Sequence, residues 1–366
     1  MDSITECITG CITGWLKELI EFNTTMDEGS TDDCAAFIDG VFKENGVSSV
    51  IIRPKGCGSM VFAEVRGRRR EALLLHAHLD TAPYYRELNW RFSPDRATFI
   101  KNKICGRGAV DCKGQAAVWM KLMCDAAKAA GSMEYSLRAV FTCDEENGGE
   151  KGLKRLMEEN RSLFDDVFLV IGEGGGFSFP YGGRICYTFQ TGEREDMEGG
   201  PWERQDRRDD ETEDKIEDKV DDNKEADIEK VISLGIKKGY YSPMLLDYIK
   251  NSGKEIKRLD TYPLYAGMEE YFVRAPYSDV YGRFGKLFEE ALKASVPEAV
   301  LMPVITPGYS DNRYFRRAGI PVIGFFPFDV RDHIWMHTAN EYISLDTLKL
   351  AYEVVGRVVE RICMGY

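Results

Sequence analysis

The chain has 366 residues, of which 43% are hydrophobic and 30% charged, and its 48 basic residues against 61 acidic ones give a net charge of −13. That composition suits two domains, or one large domain with an insertion, and excludes global disorder. The acidic balance excludes nucleic acid and anionic membranes as partners, since both reward a basic face.

The N-terminus, MDSITECITG, has no basic patch before an apolar stretch and does not read as a secretory signal. No apolar run approaches the roughly 18–20 residues that span a bilayer. The ten cysteines are scattered without a CxxC pair. They read as reduced, mostly buried thiols of a cytoplasmic protein.

The first half alternates helical and extended patterns. Residues 12–22 show helical spacing of Trp15, Leu16, Leu19 and Ile20, and residues 32–44 repeat it with Cys34, Ile38, Val41 and Phe42. Strand-like runs follow at 49–53, 60–65 and 72–76. A strong helix covers 113–130 and stops at Gly131, and then come a strand at 136–142, a helix near 151–160 and a strand at 167–171. This rhythm predicts an α/β fold with a mixed sheet and helices on both faces. It breaks after residue 176, where GGGFSFPYGG is punctuation, with one more strand-like run at 184–191. It resumes near 278 with a helix at 280–293, a strand at 321–326 and a helix at 345–362. The simplest organisation is a catalytic domain built from residues 1–177 and 277–366, with a smaller inserted α+β lid at 178–276. Residues 193–230 hold 18 acids and 8 bases, so most of the excess charge sits in one segment, which reads as a solvated loop.

Only four histidines exist, His76 and His78 in LLLHAHLDTAP and His333 and His337 in HIWMHTANE. Asp111 lies in GRGAVDCKG, the DEE run 144–146 follows one strand, and Glu173 follows another. These polar groups fall at the carboxyl ends of strands, where open α/β sheets build ligand sites. Three consecutive acids after a buried strand repel one another, by about 4 kcal/mol per pair at 4 Å and an effective dielectric of 20. Cations would relieve that, and an imidazole–carboxylate donor set suits a catalytic zinc site.

With these strings in view, the sequence resembles the dinuclear zinc metallopeptidases that include aminoacylase, acetylornithine deacetylase, succinyl-diaminopimelate desuccinylase and related carboxypeptidases and dipeptidases. The resemblance covers about residues 10–176 and 278–363, and is carried by HAHLDTAP, GRGAVDCKG, DEENGGEKG, IGEGGG, PGYSDNRYF and HTANEYISL. It implies a zinc-exopeptidase-like fold with two divalent ions, zinc or else cobalt or manganese. It assigns His78 and Glu173 to one metal, Glu146 and His337 to the other, and Asp111 as the bridge. Asp80 would orient His78, and Glu145 would be the general base acting on a metal-bridging water. A cis peptide is implied after the bridging residue, at Asp111–Cys112. Arg313 is either an anchor for a substrate carboxylate or a structural salt-bridge partner. His76 is expected to pack or hydrogen-bond beside the site, and Cys112 and Cys143 to be small buried thiols.

The implied activity is hydrolysis of an amide bond in an N-acyl amino acid or short peptide, by a small-molecule enzyme that could pair as a homodimer. The alternatives are a metal-binding regulatory or scaffold protein that kept this fold without catalysis, and an aminopeptidase of a related dinuclear family. The departure from the family pattern is in the lid. No histidine occurs between residues 79 and 332, so the usual oxyanion donor is missing, and Arg274, Tyr240 and Tyr241 are candidate substitutes.

Overall fold

Strands with nearly unbroken apolar sequence require cover on both faces, and that requirement organises the chain. The computed structural model describes residues 3–86, 88–181, 184–193, 279–306, 310–333 and 336–365. In chain order the elements are α1 (Ser3–Glu21), α2 (Asp32–Glu44), β1 (Ser48–Ile52), β2 (Met60–Val65), β3 (Ala72–His78), β4 (Thr98–Ile100), β5 (Lys103–Cys105) and α3 (Lys113–Ala129). They continue with β6 (Ser136–Thr142), α4 (Arg155–Glu159), β7 (Val167–Gly172), β8 (Phe177–Tyr181) and β9 (Arg184–Glu193). After residue 278 come α5 (Asp279–Lys293), β10 (Ala299–Thr306), α6 (Asn312–Arg317), β11 (Val322–Gly324), β12 (Phe328–Asp329), α7 (Val330–His333), β13 (Tyr342–Ser344) and α8 (Leu345–Cys363).

Ten strands form one mixed sheet in the order β1-β2-β6-β3-β7-β11-β9-β8-β12, with β10 paired to β9. Successive side chains point to opposite faces. Leu73, Leu75 and Ala77 of β3 therefore join one core, with residues of α1, α2, α3, α5 and α8. Leu74 joins a second core with Leu156 of α4 and Tyr314 and Phe315 of α6. Both faces are covered by helices, as the sequence predicts.

The centre of the sheet sets the site. β3 runs parallel to β6, pairing His78 with Thr142, and parallel to β7, pairing Leu75 with Ile171. The three strands therefore deliver their carboxyl ends side by side. β3 extends through His78, beyond the expected end at residue 76, so both His76 and His78 are strand residues. A small separate sheet, β13-β5-β4, joins the segment before Asp111 to the segment after His337.

The structure differs from the sequence-based expectations at three points. The main sheet continues through β8 and β9 to Glu193, past the expected start of the insertion at 178. Glu193 is not the first residue of a solvated run. It is fully buried, with its carboxylate 3.0 Å from Arg316. The thiols are not all reduced, because Cys57 and Cys143 form a disulfide. The rest of the expected lid through 276, the acidic run from 194 onward, and Tyr240, Tyr241 and Arg274 lie outside the described residues. Among the described residues, no helix is long and apolar enough to cross a membrane.

Candidate metal centre

His78 ends β3 and is fully buried. Its Nδ1 lies 2.9 Å from the carbonyl oxygen of Asp80 and its Nε2 2.8 Å from Asp111 Oδ1. Glu173 Oε2, just past β7, is 3.3 Å from the same Nε2, and Glu145 Oε2 is 3.9 Å away. The other oxygen of Asp111, Oδ2, lies 2.8 Å from His337 Nε2, which is 3.2 Å from Glu146 Oε1. The two oxygens of Asp111 thus face two different imidazoles. Two groups of donors converge, His78, Asp111, Cys112 and Glu173 in one and Asp111, Glu146 and His337 in the other, with Asp111 common to both.

The electrostatics of the cluster are those of acids crowded away from water. Burial, helped by the charges of Glu173 and Asp311, pushes the Glu145 carboxyl well above its ordinary value. Burial also raises Glu146, against the hydrogen bond from His337. For Asp111 burial acts upward, but the hydrogen bonds from His337 and His78 overcome it and hold the carboxyl well below the usual carboxylate range. Burial acts downward on both imidazoles. Cys112, Glu173, Glu145 and Asp111 nevertheless hold His78 well above its ordinary value, and Asp111 and Glu146 bring half-exposed His337 to about 11. The Cys112 thiol is pushed up to about 12 by burial, so it sits there as a neutral group.

This donor set fits divalent cations. Glu173 Oε1 is buried and has no hydrogen-bond partner among the described residues, the mark of an oxygen meant for something the polypeptide does not supply. Imidazole nitrogen and carboxylate oxygen are suitable ligands for such an ion.

The remaining expected residues are placed as follows. The Asp80 carboxylate lies 3.6 Å from His78 Nδ1, and the Asp80 backbone carbonyl makes the nearer contact at 2.9 Å. Its carboxylate Oδ2 accepts the Glu146 N–H at 3.0 Å. His76 hydrogen-bonds beside the site, with Nε2 3.0 Å from Thr142 Oγ1 and 3.3 Å from Asp311 Oδ2. Arg313 donates from Nη2 to the carbonyl oxygen of Gly148. The Asp111–Cys112 peptide is cis. The side chain of His333 is outside the described residues.

Two residues escaped the sequence reading. Arg107 is 1% exposed and Glu341 fully buried, and they pair at 2.7 Å. Arg107 also donates to the Pro83 carbonyl, at 3.1 Å from Nε and 2.9 Å from Nη2, and to the Thr338 carbonyl at 3.3 Å. Glu341 accepts from the backbone N–H of Val110 at 2.9 Å. The pair therefore fastens the residue before Asp111 to the residue after His337. Both lie inside strings singled out for other residues, GRGAVDCKG and HTANEYISL, and a paired charge at each end was the only signal.

A cavity of about 250 Å³ opens onto the cluster. Its lining mixes the polar Asp111, Glu145, Glu173, Gln190, Glu193 and His337 with the apolar Phe177, Phe326, Phe328 and Met336.

Residues 74–361 match the family described as Peptidase family M20/M25/M40. The chain is 32% identical over 103 residues to the cysteinylglycine-S-conjugate dipeptidase of Corynebacterium striatum, covering 28% of this chain and 22% of that protein. It is 29% identical over 170 residues to the succinyl-diaminopimelate desuccinylase of Rickettsia akari (strain Hartford), covering 43% of this chain and 42% of that one. The chain thus matches well under half the length of these curated relatives. Human carnosine dipeptidase 1 superposes with a TM-score of 0.62 and 13% identity, over 97% of each chain, a likeness of fold.

Proposed function

The chain belongs to peptidase family M20/M25/M40, and on that premise we propose that it is a metal-dependent hydrolase of the amide bond in a short peptide or N-acyl amino acid. One observation carries the reading: Asp111 presents one oxygen to His78 and the other to His337, at 2.8 Å each. A carboxylate set between two donor clusters is the natural bridge of a two-metal site.

In this reading His78, Asp111 and Glu173 hold one divalent ion and Asp111, Glu146 and His337 the other. Zinc is the ion best suited to these donors, with cobalt or manganese as substitutes. When bound, such ions acidify water and polarise an amide carbonyl. Glu145 carries the proton. It lines the cavity, and burial favours its protonated form, so its carboxylate can take a proton from the attacking water and release it to the leaving nitrogen. The Asp80 carbonyl keeps the His78 Nε2 turned toward Asp111. The cavity supports a small substrate, and its apolar lining residues support a side chain or acyl group that is not strongly charged. The names of the matched relatives, a dipeptidase and a desuccinylase, lie within the same reaction class.

The test is Glu145→Gln, assayed on zinc-loaded protein with a panel of dipeptides and N-acyl amino acids. Turnover should fall about 10²–10⁴-fold with metal content unchanged. Full activity in the variant sinks the assignment of the base. Wild-type protein that holds metal but cleaves nothing in a broad panel favours the scaffold reading, which the missing lid histidine motivates.

A further inference from the structure

We infer that Arg313 is a positioning residue, which with Tyr314 clamps the loop bearing Glu145 and Glu146, and is not an anchor for a substrate carboxylate. The inference deepens the reading above and rests on it for its kinetic consequence.

The loop after β6 depends on left-handed backbone positions. Asp144, Gly148 and Gly149 all have positive φ, at 70, 94 and 67°, and between them Glu145–Asn147 makes a single tight turn. Glycine in such conformations has no steric wall to hold it, so the geometry must be imposed from outside. The start of α6 imposes it. The Gly148 carbonyl accepts two hydrogen bonds, one from Arg313 Nη2 and one from the Tyr314 hydroxyl at 2.5 Å. The two donors are themselves 3.0 Å apart, and the guanidinium lies over the Tyr314 ring, 4.8 Å from its centroid. Two residues before Arg313, Asp311 Oδ2 accepts from Thr142 Oγ1 at 2.8 Å, at the point where β6 enters the loop. Asp311 Oδ1 lies where a side chain on Gly149 would be, 2.1 Å from an added Cβ. Residues 311–314 thus hold the loop at both ends.

The same segment reaches the end of β7, two strands away from β6. Asn312 Nδ2 donates to the carbonyl of Glu173 at 2.9 Å. The loop bearing Glu145 and Glu146 and the backbone of Glu173 are therefore referenced to the same turn. An anchor for substrate would have to present its guanidinium to the cavity. Among the described residues that line the cavity are Ser310, Glu145 and Glu173, and Arg313 is not one of them. Its Nη2 faces the Gly148 carbonyl instead.

The experiment compares wild type, Arg313→Ala, Arg313→Lys and Tyr314→Phe. Tyr314→Phe removes one donor with little change of shape, and circular dichroism excludes variants that fail to fold. Kinetics use a peptide and its C-terminal amide. Positioning predicts that kcat falls at least about tenfold for both while KM stays within about threefold, with the Lys variant partly restoring kcat. A KM increase confined to the carboxylate-bearing peptide, with kcat kept, overturns the inference in favour of the anchor. Two readouts need no turnover. Zinc titration should show about 10–100-fold weaker binding in Arg313→Ala, the usual cost of losing an outer support of a metal site. Hydrogen exchange of residues 144–149 in metal-free protein should accelerate in Arg313→Ala and to a smaller degree in Tyr314→Phe. Unchanged exchange there overturns the inference. Normal loop exchange effects in a protein that neither binds zinc nor cleaves any substrate would instead count against the hydrolase reading alone.

Discussion

The buried pair Arg107–Glu341 should behave asymmetrically when broken. Glu341→Ala leaves a guanidinium that cannot shed its charge, enclosed at 1% exposure, with the carbonyls of Pro83 and Thr338 and the rings of Tyr85 and Trp90 beside it but no anion to pair with among the described residues. Breaking a buried pair from one side costs about 3–5 kcal/mol. The Val110 N–H loses its acceptor as well, adding about 1–3 kcal/mol. Arg107→Met leaves a carboxyl that can neutralise itself. Burial already raises the Glu341 pKa despite the attraction of Arg107, and without that attraction it rises further. A carboxyl whose folded pKa is raised contributes stability that is present below its unfolded value and lost as pH rises through the folded one. The cost of Arg107→Met should therefore be the smaller of the two and should shrink as pH is lowered toward about 5. Replacing both, as Arg107→Met with Glu341→Leu, should cost less than either sum and close to nothing, since apolar replacements of buried pairs are often neutral. Urea unfolding followed by tryptophan fluorescence at pH 5 and 8 gives all four corners of the cycle. Equal and pH-independent costs for the single variants, or strict additivity in the double, would refute the reasoning.

Two further predictions concern the site. Asp80→Ala removes the acceptor of the Glu146 N–H but not the carbonyl that turns His78. It should weaken zinc binding about 10–100-fold, mostly in the cluster that holds Glu146, as read by competition with a chromophoric chelator. Unaltered affinity for both ions would contradict that role. The metal-free protein should also lose stability as pH rises. The folded pKa of His337, about 11, stands above its ordinary 6.5, so its contribution is present below about 6.5 and lost between there and about 11. Raised Glu145 and Glu146 act in the same sense, lowered Asp111 acts oppositely only at acid pH, and Lys113, lowered by burial to about 8, acts oppositely only above that pH. Zinc, which needs neutral imidazoles, should raise the melting midpoint more at pH 8 than at pH 6, with protons released on binding. A metal-free midpoint that climbs from pH 6.5 to 8 would refute the scheme.

The central strands were legible because each is apolar along its length, and β2 and β6 have the bounds their sequence gives them. The histidine and acids of the site were legible because each follows such a strand. β10 was not, since Pro303 interrupts its pattern, and the strand tolerates proline because β9 is its only partner among the described residues. Glu193 looked solvated because its neighbours in sequence are charged, whereas Arg316, which pairs with it, is far along the chain. Arg107 and Glu341, the second function of Asp80 and the direction of Arg313 all depend on pairings across loops. So does the bond between Cys57 and Cys143, separated by 86 positions. Local periodicity carries no information about such partners.

The order of the donors along the polypeptide has a consequence for how the centre comes into being. One donor cluster draws only on residues between 78 and 173. The other needs a histidine 191 positions beyond its glutamate partner. A growing chain therefore carries every donor of one cluster before it carries the histidine of the other, and that histidine ties a later segment back to an earlier one.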